Sequence, residues 1–149
     1  QNREIMRNLK FIIYGPPGVG KSTLVEHLED SYDIETDSVK DGDSWQQTPY
    51  ILALEEHGWP RFVGAAALSP EWVIPGYEKV IYLPPFEVYF KRRMQRDEAQ
   101  PEKKGQHEVK EAWEFWNSYD LKHIRMISLK ATVEQLNAWA GISGGKTPK

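Results

Sequence analysis

Apolar residues along the chain fall into short unbroken runs, separated by longer segments with helical spacing. Phe11-Ile12-Ile13-Tyr14 is the first such run, and it predicts a buried strand over Lys10–Tyr14. Ser22 to Leu28 has helical spacing, predicting a helix from Lys21 to Asp30. Tyr32–Thr36 is a short candidate strand leading to Asp37. Ser38–Gln47 is polar, with a turn signal at Lys40-Asp41-Gly42-Asp43. Pro49 suits a helix start, and Tyr50–His57 continues to a stop at Gly58. The small-residue run Arg61–Leu68 predicts a second buried strand. Lys79–Leu83 predicts another, ended by Pro84-Pro85. Phe86–Asp97 is a basic helix, Glu108–Trp116 a further helix and Arg125–Leu129 a strand. Thr132–Trp139 closes the chain as a helix, with Glu134 as an acid in its first turn.

Strands alternating with helices predict an α/β domain of three layers, with a parallel sheet of roughly five strands covered on both faces. Ligands in such sheets sit beyond the carboxyl ends of the strands. With no repeat and no linker, residues 1–149 read as a single domain. Residues 1–8 and 141–149 are expected to be flexible ends, and Met6 is a candidate natural start. Gly144-Gly145-Lys146-Thr147 lacks the upstream glycine, strand and following helix of a phosphate site, and reads as tail.

One segment changes the picture from architecture to chemistry. Gly15-Pro16-Pro17-Gly18-Val19-Gly20-Lys21-Ser22 is a complete G-x-x-x-x-G-K-S phosphate-binding loop, lying between a strand and a helix start as its mechanism requires. Backbone N–H groups and the helix dipole form a cradle for nucleotide phosphates. Gly15, Pro16, Gly18, Val19, Gly20, Lys21, Ser22 and Thr23 are the expected nucleotide-binding residues. Lys21 would reach the β- and γ-phosphates, and the Ser22 hydroxyl would ligate Mg²⁺. ATP with Mg²⁺ is the expected ligand.

Composition narrows the partners. A formal net charge of −3 gives no bulk basic field for nucleic acid or an anionic membrane. The absence of cysteine removes disulfides and thiolate metal sites and fits a reducing interior. No apolar stretch approaches the roughly 20 residues that span a bilayer, and no signal-peptide pattern opens the chain. A cytoplasmic enzyme with no membrane contact, monomeric or homodimeric, is the expectation. His27, His57, His107 and His123 lack metal-site spacing.

Four elements in order carry a resemblance over nearly the whole chain: the loop at Gly15–Ser22; Glu35-Thr36-Asp37 after the second strand; Gly64-Ala65-Ala66-Ala67-Leu68; and Val80-Ile81-Tyr82-Leu83 followed by a helix bearing Arg92, Arg93 and Arg96. The chain thereby resembles the small P-loop kinases, the group that includes shikimate, gluconate and nucleoside monophosphate kinases. Its acidic element looks like the D-x-D of shikimate kinases, and its alanine run is placed like the A-C-S-A-L of gluconate kinases. The resemblance implies arginines on a closing lid that neutralise the transferring phosphoryl group and exclude water. Arg92 and Arg96 are the catalytic candidates among them, and Arg93 is placed on the acceptor side. Substituting Arg92 or Arg96 is then expected to lower turnover more than ATP affinity. A solvated basic face is the alternative reading of each arginine.

Asp37 is the residue expected to accept or orient the acceptor hydroxyl's proton and to support Mg²⁺ beside Ser22; a capping aspartate is its bland alternative. Glu35 joins it on the acceptor side, and Asp33 and Glu35 are both weaker candidates for its role. Alternation sets Asp33, Glu35 and Asp37 on one side of their strand. Trp72 is the aromatic placed on the acceptor side, although core or loop packing is the favoured reading of it.

Arg61–Leu68 ends without an aspartate, so a standard Walker B carboxylate is missing, with Glu71 the nearest acid. Alanines replace the triple glycine of shikimate kinases. The leading expectation is a kinase acting on a hydroxyl of a small metabolite or nucleotide. A narrower resemblance, to bacteriophage kinases that phosphorylate 5-hydroxymethyluracil in DNA, would require base extrusion from a duplex. A nucleotide switch or assembly ATPase without an acceptor is the reading from another class. A GTPase is disfavoured because no N-K-x-D motif is present.

Overall fold

The computed structural model describes residues 9–34, 40–41, 44–45, 47–65, 70–104 and 108–141. Its main sheet has five strands: β1 (Lys10–Tyr14), β2 (Ser31–Asp33), β5 (Phe62–Gly64), β6 (Tyr77–Tyr82) and β7 (Lys122–Ile124). Their order is β2-β5-β1-β6-β7, and every pairing is parallel. A separate two-stranded antiparallel ladder joins β3 (Lys40–Asp41) to β4 (Ser44–Trp45), within the segment expected to be polar turn. The helices are α1 (Lys21–Glu26), α2 (Gln47–Glu56), α3 (Phe86–Ala99), α4 (Val109–Asn117) and α5 (Leu129–Trp139), with a 3₁₀ turn at Pro101–Lys103. The expected α/β architecture with a five-stranded parallel sheet is what the chain adopts. No helix among the described residues is long and apolar enough to cross a membrane.

Strand alternation divides the core. Phe11 and Ile13 point to one face, where they meet Leu24, Val25 and Leu28 after β1, Tyr89 of α3, and Val133 and Leu136 of α5. Ile12 and Tyr14 point to the other, against Tyr50, Ala53 and Leu54 of α2, with Trp116 and Tyr119 packed at its margin. Both faces of β1 are fully covered, so a continuous apolar run is stable there, as the sequence pattern required.

Several boundaries differ from expectation for local reasons. α1 stops at Glu26 rather than Asp30. The Ser31 hydroxyl donates to the carbonyls of Val25 and Leu28, both at 2.8 Å, and Asp30 takes a left-handed φ of 54° that turns the chain into β2. β2 ends at Asp33 instead of Thr36, and β5 at Gly64, with 66–69 outside the described residues. The strand expected over Arg125–Leu129 is displaced: β7 is Lys122–Ile124. Met126-Ile127-Ser128 is a connection in which Ser128 caps α5, its hydroxyl accepting from the Ala131 N–H at 3.1 Å. The helix accordingly starts at Leu129 rather than Thr132. Ile127 is exposed, which shows why an apolar run alone misled.

Candidate functional site

β1 lies in the middle of the sheet, so the loop after it opens at the carboxyl edge with neighbours on both sides. Gly15 passes so close to β6 that a methyl group there would lie 2.9 Å from the Tyr82 carbonyl oxygen. Gly18 and Gly20 take left-handed φ values of 78° and 101°, conformations that cost glycine little. Gly20 then begins α1 with no side-chain cap, leaving the first N–H groups of the helix to an external acceptor.

A cavity of about 670 Å³ opens over this loop, lined by residues 16 to 23, by Asp33 and Ile34, by Tyr82, Arg92, Arg96 and Gln100, and by Leu129. The structure thus gathers the loop residues with Arg92 and Arg96, which are distant in sequence. Lys21 donates to the carbonyl of Ala65, just beyond β5, at 2.9 Å. Burial pushes the Lys21 ammonium down to about 8, against the opposing pull of the nearby Asp33 carboxylate.

Asp33, a weaker candidate from the sequence, is the acid that lines the cavity among the described residues. It ends β2 opposite Gly64 of β5, and a methyl group at Gly64 would collide with its carboxylate oxygen. The missing signal was this pairing across strands: glycine at position 64 leaves the space that Asp33 fills beside Lys21. Glu35 and Asp37 lie outside the described residues.

α3 supplies the opposite wall. It follows Pro84-Pro85, has no internal glycine or proline, and carries Glu87 in its first turn. The Arg92 guanidinium donates to the Val19 carbonyl at 3.0 Å, to the Tyr82 hydroxyl at 2.6 Å and to the Ile127 carbonyl at 2.7 Å. Such bonds join the phosphate loop, β6 and the approach to α5, so Arg92 is a strut in this structure rather than an arm of an open lid. Arg96 reaches Asp97 at 2.8 Å, and this hydrogen bond, ahead of the charge of Arg93, holds the Asp97 carboxyl below its ordinary range. Arg93 was expected on the acceptor side. It is instead fully buried beneath the loop, bonded to the Tyr89 hydroxyl at 3.0 Å and paired with Asp97 at 3.4 Å. Tyr89-x₃-Arg93-x₃-Asp97 is a ladder at helical spacing, visible in the sequence had arginine–acid spacing been read as closely as arginine–arginine spacing.

Trp72 does not line the cavity. It meets Tyr50 edge-on, with centroids 5.6 Å apart, and packs on the α2 side of the core. Among the described residues no cluster of histidine, cysteine and acidic side chains could hold a metal by itself. The hard oxygen donors among the cavity's lining side chains include the Ser22 and Thr23 hydroxyls and the Asp33 carboxylate, a set suited to Mg²⁺ shared with phosphate oxygens.

No protein-family model matches the chain, and no curated protein does either. Among solved structures it is similar to a gluconokinase from Sinorhizobium meliloti 1021. The TM-score is 0.54 at 15% identity, over 89% of this chain and 91% of that one. At that identity the likeness is one of fold: this chain has a P-loop kinase-like fold.

Proposed function

We propose that the protein is an ATP-dependent kinase that transfers the γ-phosphoryl group to a hydroxyl of a small metabolite. The observation that carries this reading is one cavity holding the phosphate loop and Lys21, with Arg92 and Arg96 on one wall and Asp33 on the other. Phosphoryl transfer is catalysed by positioning and charge neutralisation, which is what such a set of groups supplies. Lys21 leaves the Ala65 carbonyl for the β- and γ-phosphates. Arg96 faces the transferring group, while Arg92 keeps the loop and the α5 approach in register around the nucleotide. The Ser22 hydroxyl and the Asp33 carboxylate, which line the same cavity, would hold Mg²⁺, which when bound neutralises charge on the phosphates. Asp37, a few residues past the end of β2, orients the acceptor hydroxyl and takes its proton. The gluconokinase likeness favours a small hydroxyl-bearing acceptor.

The test is transfer of labelled γ-phosphate from ATP, with Mg²⁺, to a panel of acceptors. The panel holds gluconate and related sugars, nucleosides, nucleoside monophosphates, and DNA with or without 5-hydroxymethyluracil. Label on a small acceptor, abolished in Asp37→Ala, is the expected result. ATP binding without transfer to any of them would replace the kinase with a nucleotide switch.

A further inference from the structure

α3 presents to the core a stripe made of Tyr89, Arg93 and Asp97, each one helical turn from the next and each buried. Apolar side chains normally occupy such a stripe. A buried guanidinium is costly even when paired, and hydrophobic residues of similar volume commonly serve stability as well or better. The polar ladder therefore needs a reason beyond packing.

Its upper end supplies one. Arg93 donates to the Tyr89 oxygen, and the Tyr89 hydroxyl donates in turn to the carbonyl of Pro17 at 2.8 Å. In a planar trans peptide the C=O and the following N–H point in opposite directions. Drawing the Pro17 carbonyl toward Tyr89 therefore turns the Gly18 N–H away from α3's buried stripe. The same helix repeats the device one peptide pair later: Arg92 holds the Val19 carbonyl, which orients the Gly20 N–H. The loop also rests directly on the arginine stem, since a methyl group at Gly18 would lie 3.0 Å from Arg93 Cδ.

We propose that Tyr89 and Arg93 form a positioning pair for the phosphate loop, fixing the Pro17–Gly18 peptide so that its N–H is presented to a nucleotide phosphate. Asp97 completes the device. It balances the Arg93 charge and, by holding Arg96 at 2.8 Å, ties loop geometry to the arginine on the cavity wall. Neither Tyr89 nor Arg93 is a lining residue of the cavity; both act through the loop backbone. The inference rests on the nucleotide-binding part of the reading above and is independent of the acceptor.

The experiment compares wild type with Tyr89→Phe, labelled with ¹⁵N-glycine and titrated with ADP. In wild type the Gly18 and Gly20 amide protons are expected to move downfield as each bonds to phosphate. In Tyr89→Phe the Gly18 shift is expected to shrink while the Gly20 shift persists, with ADP affinity about fivefold weaker, the range of one lost hydrogen bond. A general loss of rigidity would change both amides together, so equal loss at the two positions overturns the assignment. An unchanged Gly18 response with unchanged affinity overturns it as well. Arg93→Met is expected to act in the same direction; if it does not fold, Tyr89→Phe decides alone. Failure of wild type to bind ADP would remove the nucleotide reading itself, a result separable from failure of the pair.

Discussion

The two faces of the sheet are built on different chemistry. On the face covered by α1, α3 and α5, buried side chains include Arg93, Asp97, Thr132 and Asn137, the buried polar groups identified among the described residues outside the tyrosines. On the α2 face the buried side chains are aliphatic or aromatic, with Tyr14 stacked on Trp116 at 5.8 Å and Tyr50 against Trp72. Burial pushes the Tyr50 phenol up to about 12 and the Tyr14 phenol higher still, so neither offers a charge near neutral pH. Both faces touch the same central strand, yet the buried charged pair Arg93–Asp97 lies on the first face, with the Arg93 stem against the phosphate loop. Sites that must present fixed dipoles to an anion carry costly polar interiors, while faces that only support the sheet can be apolar.

Paired substitutions give the largest test of that contrast. Leu54→Ala on the α2 face is expected to cost about 2–5 kcal/mol of stability, measured by denaturant unfolding, and to leave nucleotide affinity unchanged in the folded protein. Lys21→Met on the other face should do the reverse, lowering phosphoryl transfer by about 10²–10³-fold. Its thermal midpoint should rise. The folded Lys21 titrates near 8, below its ordinary 10.5, so the unfolded chain binds more protons between those values and stability climbs through that window. Below pH 8 the desolvated ammonium is a net cost that methionine removes. A lower midpoint in Lys21→Met would contradict the burial argument.

A smaller effect is expected at Gly64→Ala. The added methyl group displaces the Asp33 carboxylate and crowds Val25 at 3.0 Å, so transfer should fall by about 10²-fold with the sheet intact by circular dichroism. Unaltered turnover would show that Asp33 is a bystander to Lys21. The mildest change is reached by pH alone. Phosphate oxygens stabilise the Lys21 ammonium, so nucleotide binding takes up a proton once the empty site begins to lose it near pH 8. Calorimetry in buffers of different ionisation enthalpy should show that uptake, and affinity should weaken from pH 7 to 9 by about tenfold at most.

Much of this was legible in the chain. Periodicity alone predicted β1 and the existence of α3 and α5, because continuous burial and helical spacing leave direct patterns. The phosphate loop was read residue by residue. Arg93 was misplaced because its neighbours Arg92 and Arg96 drew attention to one helix face, whereas burial is decided by what packs on the other. The place of Asp33 beside Lys21 was not legible because its neighbour across the sheet is Gly64, three strands further along the chain, and a glycine signals nothing until the strands are paired. Arg125–Leu129 failed for a third reason: a serine cap outweighed an apolar run.

The strand order has a consequence for how the chain is made. Ile13 of β1 pairs with Gly64 on one side and Val80 on the other, so the central strand precedes both of its partners by a long stretch of chain. During vectorial synthesis Phe11-Ile12-Ile13-Tyr14 leaves the ribosome before β5 and β6, and this strand, apolar on both faces, lacks its second neighbour until β6 has followed. Non-local parallel pairing of this kind folds slowly and leaves sticky intermediates. The nascent protein is therefore expected to need shielding by a chaperone at the very segment that later carries its phosphate loop.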